Sequence, residues 1–362
     1  MLIIQLMDPA ERFALSLTSK RMEFDVKLIK KQGYYPQIVF LGRLSFITLR
    51  EDSCFEVICN RFGYKKKGER GYHWLQYKKR TSIQNTALAI NKLLNVININ
   101  GLGIHFTKPN PSLIRLKKIF SYDTFKSSWY KITLDGIDFN TEIVNFILNM
   151  ADRRKAIQIL DCDMPLDFKH ENVFKFGTND YGDARWVTLD DILKIRYVQN
   201  VALYKTILTS NHVRHFIDRW INCPHDMFLW MRITAMETIQ LEGLFNELVV
   251  LEHHINPTNM RYFILAKPIS RVCKLLSIHH SIDYVVLTAR KPYDKRRNGN
   301  TKEKFKNVYE IMELLEKKNT LENELEGTRD ATKLREYSNQ IQELERKIHE
   351  LGVVYRDGRA TI

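Results

Sequence analysis

Several short groups of residues in this sequence have side chains that could do chemistry. Two tandem pairs, His253-His254 and His279-His280, carry potential metal ligands, and Asp161-Cys162-Asp163 could supply paired carboxylates. Gly101-Leu102-Gly103 has the start of a phosphate-binding loop but lacks the third glycine. Neighbouring residues point to opposite faces of a strand or lie about 100° apart on a helix, so neither histidine pair would chelate one ion well. We expect the glycine pair and the acidic group to form turns.

The common catalytic motifs are missing from the sequence. It contains no GxxxxGK[ST] loop, no GxSxG nucleophile elbow and no HExxH zinc motif. We therefore predict a protein that is not an enzyme and that needs no cofactor and no metal ion.

The five cysteines are widely spaced and include no CxxC pair, which excludes the common zinc knuckle and ribbon patterns. An odd number of separated cysteines with apolar neighbours is typical of reduced, buried thiols. We expect this state for Cys54, Cys59, Cys162, Cys223 and Cys273.

The chain is strongly basic. It has 56 Lys and Arg residues against 42 Asp and Glu, a formal net charge of +14 at pH 7. Two segments, 64–80 and 290–304, concentrate the cations, and in the first they are mixed with aromatic residues. Because cations neutralise phosphates and aromatic rings stack on bases, a nucleic-acid-binding protein is the alternative function. Basic turns and the solvated edge of a strand explain the same patterns.

Length and composition are those of a globular protein. The 362 residues are 44% hydrophobic and 27% charged, which predicts two or three folding units. No apolar run approaches the roughly 18–20 residues that span a bilayer, and the first residues lack a basic leader. We expect an intracellular protein of the cytoplasm or nucleus with no membrane partner.

The periodicity of apolar residues predicts an α/β fold divided into four regions. A short helical unit comes first, and Asp8-Pro9 has the residue types that begin a helix. A mixed α/β body, a basic linker and a final helical region follow. The predicted bounds of the four regions are 1–32, 36–287, 288–302 and 303–351.

The body begins with closely spaced strand patterns and continues with strand–helix–strand units. Alternating and β-branched runs between 37 and 77 predict an antiparallel meander. Beyond residue 83, helical and strand patterns alternate, which predicts parallel crossover units, with a leucine-rich-repeat-like shape as one form of them. The predicted strands there are 96–99, 130–134, 156–160, 198–203, 228–233, 262–265 and 284–287. The predicted helices are 83–94, 141–151 and 210–221.

The region 303–351 has the clearest helical pattern. Apolar residues recur at spacings of three and four, but the series before and after Gly327 are out of phase. Two helices of roughly 20 residues that fold back as an antiparallel hairpin explain this break. A continuous coiled coil that forms a dimer is the competing interpretation.

Two stretches of the sequence resemble one protein family, the large nematode family of F-box proteins. The first, Gln5 to Arg21, includes Asp8-Pro9-Ala10-Glu11 and Leu15-Ser16-Leu17-Thr18-Ser19-Lys20-Arg21. It resembles the middle of the F-box in these proteins.

The second stretch, Ile207 to Asn222, contains Leu208-Thr209-Ser210 and Trp220-Ile221 and resembles the core of the type 2 F-box-associated domain. Trp186 to Leu193 resembles the segment that precedes this core. The order and spacing of the two stretches are those of the family, and the likeness covers about residues 1–30 and 130–240.

The resemblance implies a non-catalytic substrate-recognition protein. In this family the F-box docks on a Skp-type adaptor of a cullin–RING ubiquitin ligase, and the associated domain holds a target protein. Ubiquitin transfer occurs on the ligase partners. By resemblance, the residues that face the adaptor are Leu6, Met7, Pro9, Phe13, Leu15 and Leu17. The residues of the family motif in the body are Leu189, Leu208, Ser210, Phe216, Trp220 and Ile221. The alternative is that the six adaptor-facing candidates pack on residues 36–100 of the same chain.

The sequence departs from the family pattern in two places. The Leu-Pro segment that opens the usual F-box is absent, which implies a truncated F-box whose binding to the adaptor is weak or lost. Asn222-Cys223-Pro224 replaces a glycine-containing turn of the associated domain. The helices of 303–351 lie outside the resemblance and are candidates for partner binding or dimerisation.

Overall fold

The computed structural model confirms the mixed α/β class, with a large, mostly sheet body and helices near the C-terminus. The chain divides into two units, Met1–Asp183 (unit 1) and Ala184–Ile362 (unit 2). This division falls inside the region 36–287 that the sequence treats as one body. The structure describes residues 2–7, 9–29, 33–49, 55–60, 63–65, 80–240, 244–245, 248–256, 259–281, 283–292 and 302–362.

Unit 1 contains an N-terminal group of helices followed by a sheet. Its helices are α1 (Leu2–Leu6), α2 (Pro9–Ser16), α3 (Lys20–Lys27), α4 (Ser82–Val96), α5 (Leu113–Phe120), α6 (Asp123–Ser128) and α7 (Thr141–Leu148). Its strands are β1 (Gln37–Leu41), β2 (Leu44–Leu49), β3 (Phe55–Asn60), β4 (Gly63–Lys65), β5 (Leu102–Phe106), β6 (Trp129–Asp135), β7 (Ala156–Leu160) and β8 (Thr178–Tyr181).

The sheet of unit 1 combines both predicted pairings. Strands β1 to β4 form an antiparallel meander, and β1 also pairs in parallel with β5. Strands β5 to β8 continue in parallel, in sequence order. Helices connect β5 to β6 and β6 to β7, whereas the connection from β7 to β8 contains turns and no helix. The strand pattern at 73–77 lies outside the described residues.

The core of unit 1 lies between one face of this sheet and the helices. The strand register aligns Ile38, Ile104, Ile132 and Ile157 in one row, and all four side chains are buried. Helix α6 packs on this face through Phe125, and α4 does so through a hydrogen bond between the Thr86 and Ser45 hydroxyls (2.5 Å). Apolar residues on alternate positions therefore define the buried face.

One strand of unit 1 is displaced from its predicted position. Helix α4 runs to Val96, so the predicted strand 96–99 is wrong, apart from an isolated bridge between Tyr34 and Ile99. The strand is β5, and it contains Gly103 of the glycine pair that was expected to form a turn, while Gly101 directly precedes it. A Cβ at Gly103 would overlap the amide of Gln37, which crosses the strand at this point. Glycine at position 103 therefore lets the Gln37 side chain lie close to the backbone of β5.

Unit 2 contains eight strands and four helices among its described residues, including the C-terminal helices. Its helices are α8 (Leu189–Leu193), α9 (Ser210–Asn222), α10 (Lys302–Gly327) and α11 (Ala331–Glu350). Its strands are β9 (Val198–Thr206), β10 (Phe228–Ala235), β11 (Leu251–Asn256), β12 (Asn259–Leu265), β13 (Leu275–Ser281), β14 (Tyr284–Arg290), β15 (Val354–Arg356) and β16 (Arg359–Thr361).

The sheet of unit 2 is mostly antiparallel, so the prediction of parallel crossover units is wrong for the strands after β10. Strands β11 to β14 follow one another through short connections, and such connections join antiparallel strands. After the parallel pair β9–β10, the order is β14, β13, β12 and β11, each antiparallel to its neighbour. Strand β16 then pairs in parallel with β11, and β15 forms a hairpin with β16. Strand β14 extends to Arg290, so the basic linker begins later than the predicted residue 288.

Helices α10 and α11 form a hairpin around residues 328–330, the place at which the apolar pattern changes phase. Asp330 caps α11 by accepting the backbone N–H of Thr332 (2.9 Å). The Lys318 ammonium on α10 pairs with Glu345 on α11 (2.9 Å) and Glu322 (3.4 Å). The hairpin packs its apolar side on the sheet, since one buried cluster joins strand and helix residues. The cluster contains Leu251, Phe263, Leu265, Leu275, Val308, Tyr309, Ile311, Met312, Leu315, Ile348, Val353 and Ala360.

Candidate functional site

Helices α1 to α3 hold the residues assigned to an adaptor by resemblance. The Ser19 hydroxyl starts α3 by accepting the Met22 backbone N–H (3.2 Å), as a Thr-Ser pair before a helix predicts. Helices α2 and α3 pack on each other and on α4. Asp8, the expected cap of α2, lies outside the described residues.

The six adaptor-facing candidates do not share one environment. Leu6 is 88% exposed, whereas Phe13 is fully buried. Contrary to its assignment, Phe13 belongs to the interior of the helical unit because α2 turns it toward its neighbours. Intermediate exposure is found at Met7, Pro9, Leu15 and Leu17.

Other large apolar side chains on these helices face outward. Ile3 is 73% exposed and Phe24 is 60% exposed, and Leu28 at the end of α3 is about half exposed. The F-box-like motif does not mark these residues as adaptor-facing, although their apolar type is visible in the sequence. Only the packing of α2 and α3 shows which side of each helix remains exposed to solvent.

The family-motif residues of the body build the contact of α9 with its sheet. Thr209 caps α9, and the neighbouring Ser210 hydroxyl accepts the Gln240 backbone N–H (2.9 Å). Leu189 is partly buried. The apolar motif residues with buried side chains are Leu208, Phe216, Trp220 and Ile221. These positions therefore have a structural role in unit 2.

A buried arginine fixes the C-terminal end of α9. The Arg271 guanidinium lies 3.9 Å from the centre of the Trp220 ring and donates to the Trp220 carbonyl oxygen. Its Nε donates to Asp226 Oδ1 (3.4 Å), which also accepts the Cys273 backbone N–H (3.0 Å). Burial lowers the pKa of Arg271, and the Asp226 carboxylate opposes that effect.

The face of the unit 1 sheet opposite its core carries polar side chains, of which His105, Gln158 and Asp180 are partly exposed and Thr133 is buried. The strand register places His105, Thr133, Gln158 and Asp180 in one row. Thr133 Oγ1 donates to Gln158 Oε1 (3.3 Å), and Gln158 Nε2 donates to Asp180 Oδ2 (2.7 Å). Burial raises the pKa of Asp180, while the bond from Gln158 and the charge of Lys131 lower it.

Two further contacts extend this polar face. His105 Nε2 lies 3.2 Å from Asp135 Oδ2. Gln37 passes over Gly103 and donates to the Tyr130 hydroxyl (3.0 Å). Because these donors and acceptors are held in register by the strands, the face is suited to hydrogen-bonded recognition of a bound chain.

The other groups singled out in the sequence do not assemble into a metal site. Each histidine pair lies on a strand with its members on opposite faces, and His280 Nε2 contacts the Ile239 carbonyl oxygen (2.7 Å). Asp161-Cys162-Asp163 follows β7, with a positive φ at Asp161 that is typical of a turn. The part of the chain that the structure describes contains no group of three potential metal ligands.

The cysteines of the described ranges are free and buried, as expected. Burial raises the pKa of Cys59 to about 12, against hydrogen bonds with Thr86 and Ser45. It also raises the pKa of Cys162 to about 11, together with the charge of Asp163. Such thiols stay protonated at neutral pH and are poor nucleophiles. Cys54 lies outside the described residues.

The two basic segments, 64–80 and 290–304, fall largely outside the described residues. The parts that the structure does describe are 64–65, 80, 290–292 and 302–304. The prediction that these segments bind nucleic acid therefore stays a prediction.

Comparisons of the chain with protein-family models, with curated proteins and with solved structures give no significant match. The resemblance to F-box proteins therefore rests on the sequence motifs alone. Among the described residues, no helix combines the length and apolarity needed to cross a membrane.

Proposed function

We propose that this chain is a non-catalytic recognition subunit of the F-box type. In this proposal, helices α1 to α3 dock on a Skp-type adaptor, and the body holds a target protein. No residue of the chain takes part in ubiquitin transfer, which belongs to the ligase partners.

The observation that carries the proposal is the outward-facing apolar side chains of α1 and α3. Ile3, Leu6, Phe24 and Leu28 are exposed on a helical unit whose interior is already filled by Phe13 and Val26. Burying a large apolar side chain contributes about 1.5–3 kcal/mol, so a partner that covers these residues gains affinity from each of them. The family motif near the N-terminus makes a Skp-type adaptor the partner of choice.

The layout of unit 1 supports the proposal that the body holds a target protein. Its parallel strands pack their apolar face against helices and leave a face of hydrogen-bonded polar side chains, including Gln158 and Asp180. We propose that this sheet is leucine-rich-repeat-like in layout and that its polar face takes part in holding the target. Rigid strands position such side chains more accurately than loops do.

The test is a binding titration with a purified Skp-type adaptor. The full chain and residues 30–362 are compared, together with the double variant Leu6→Asp, Phe24→Asp. We expect the full chain to bind at micromolar concentration and both altered forms to bind at least about tenfold more weakly, since each loses apolar contact area. Ile114→Asp is the matched control, because Ile114 is equally exposed but lies on α5.

Two results would contradict the proposal. One is no binding by the full chain at about 10 μM adaptor, well above a typical dissociation constant for a specific complex. The other is equal loss of binding in Ile114→Asp, which would show that added charge, rather than the helical surface, is responsible.

A further inference from the structure

A row of side chains that contains two arginines and two histidines crosses the sheet of unit 2. The strand register aligns Arg232 on β10, Val286 on β14, His279 on β13, Arg261 on β12 and His253 on β11. All five side chains are partly exposed. The row therefore forms an accessible stripe across the strands, which we call the cationic row.

The hairpin of α10 and α11 leaves this stripe accessible. The hairpin covers the next row of cross-strand neighbours, which includes Leu251 and Phe263 of the buried cluster. Arg261 lies two positions from Phe263 on β12, and His253 lies two positions from Leu251 on β11, so they share one face of the sheet. The stripe is thus bordered by the hairpin on one side.

Aromatic rings hold Arg232 in place. Its guanidinium lies 4.2 Å from the centre of the Tyr284 ring and 5.4 Å from that of Tyr204. Its Nε donates to the Thr234 hydroxyl (3.2 Å). The terminal nitrogens of a guanidinium fixed in this way are preorganised for a planar anion such as a carboxylate.

Arg261 and His279 lie in the other half of the stripe, between Val286 and His253. Burial lowers the pKa of Arg261, and burial with the charge of Arg261 lowers the pKa of His279. The Nδ1 atom of His279 is buried and has no hydrogen-bond partner among the described residues. The Tyr284 ring, which supports Arg232, also contacts the His279 ring, with the ring centres 6.1 Å apart.

The two arginines lack acidic partners. No carboxylate in the described part of unit 2 lies within the 4.0 Å of an ion pair from Arg232 or Arg261. Each of these arginines therefore carries a positive charge without a protein counter-ion, and an anionic ligand can supply one.

We propose that the cationic row binds an acidic peptide segment of a partner protein, with one carboxylate on Arg232 and another on Arg261 and His279. The proposal deepens the proposed function, on which its biological role rests, by naming the chemistry of the target.

The geometry of the sheet sets the spacing of the two carboxylates. Arg232 and Arg261 lie three strand intervals apart, or about 14 Å at about 4.8 Å each. An extended peptide advances about 3.4 Å per residue, so acidic residues four positions apart match this distance and point to the same side.

A peptide fits the stripe better than a nucleic acid does. The face of the Tyr284 ring is already covered by Arg232, so the ring is not free to stack on a base. The stripe also contains only a short set of cations rather than a track along a backbone.

The experiment measures the binding of a fluorescein-labelled nonapeptide with blocked termini, in which two glutamates four positions apart are the only charged residues. The full chain is titrated at about 100 mM salt, close to the ionic strength at which distant surface charges are screened. We expect saturable binding that is at least fivefold weaker in Arg232→Gln and in Arg261→Gln. Tyr284→Leu, which keeps the charge but removes the support of Arg232, is also expected to weaken binding.

Matched controls separate the stripe from the overall charge. Arg335→Gln removes one exposed cation from α11 and should bind as the unchanged chain does. A peptide with both glutamates replaced by glutamine should not bind. A peptide with the glutamates two positions apart should bind at least threefold more weakly.

Several outcomes would overturn the proposal. One is an equal loss of peptide affinity in Arg335→Gln, and another is no loss of affinity in either Arg232→Gln or Arg261→Gln when the variant remains folded. A third is an oligothymidylate that binds more tightly than the peptide and that depends on the same two arginines. Adaptor binding is measured on the same variants. Because the arginines lie outside α1 to α3, adaptor binding should be unchanged, so failure of one proposal is distinguishable from failure of the other.

Discussion

At the scale of single residues, Arg271 shows how unit 2 tolerates a charge in its interior. The side chain is fully buried, and its partners are the Trp220 ring and carbonyl and the Asp226 carboxylate. A buried ion pair gives little net stability, but removing one partner leaves the other charge uncompensated.

The first prediction concerns this pair. Asp226→Ala should lower the free energy of unfolding by about 3 kcal/mol, because Arg271 then stays buried without a counter-charge and the Cys273 N–H loses its acceptor. Urea denaturation followed by circular dichroism measures the change. Asp167→Ala, at an exposed position, should change the value by less than about 0.5 kcal/mol. A similar small change in Asp226→Ala would disprove the role given to the pair.

The second prediction concerns the protonation of His279. Burial, Arg261 and His280 lower its pKa, so the imidazole is neutral at pH 7 in the free chain. A bound carboxylate favours the protonated form and raises this pKa in the complex. Binding therefore takes up a proton, and affinity for the acidic peptide should rise as the pH falls from about 7.5 to about 5.5.

The same titration on His279→Gln provides the control for the pH effect. The groups that face His279 are Arg261, its cross-strand neighbour, and the Tyr284 ring, whereas His280 adjoins it in the strand and lies on the opposite face. We expect the rise in affinity, about three- to tenfold, to disappear in His279→Gln. Persistence of the full effect in this variant would assign it to His280 or to the peptide.

At the scale of elements, the C-terminal hairpin is part of the core of unit 2. Met312 and Ile348, one from each helix, are fully buried against strand residues such as Phe263. The hairpin is therefore held by contacts within the chain, in the arrangement that the phase change at Gly327 predicts.

The third prediction tests the contribution of this packing. Met312→Ala should lower the free energy of unfolding by about 2–5 kcal/mol, since it removes buried methylene groups and leaves a cavity. Glu313→Ala changes the next, exposed position and should be nearly neutral. Equal effects of the two substitutions in thermal or urea denaturation would show that α10 does not depend on its apolar side.

Elements with a strong local pattern were predictable from the sequence. Strands β6 and β7 and helix α9 lie where alternation or helical spacing placed them, with ends shifted by at most a few residues. Strand β8, with the sequence Thr-Asn-Asp-Tyr, was missed because its side chains are polar and short runs of this kind resemble turns. It becomes a strand through its pairing with β7.

At the scale of the whole molecule, the net positive charge must be distinguished from the positions of individual cationic side chains. The net charge of +14 belongs to the whole sequence and favours any polyanion. Arg232 and Arg261, by contrast, lie far apart in sequence and come together only through the order of the strands. This is why the sequence suggested basic segments as the binding surface, whereas the described structure points to a row across a sheet.

Local patterns in the sequence determined the α/β class, the meander, the parallel units as far as β10 and the C-terminal helices, and residue type with apolar neighbours indicated the burial of the described cysteines. These features depend on residues close in sequence, or on side-chain type alone. Tertiary structure decided which apolar residues of α1 to α3 stay exposed, why Gly103 lies inside a strand, and which cations share a face. Such properties depend on strand order and on contacts between distant segments, which a single sequence does not contain.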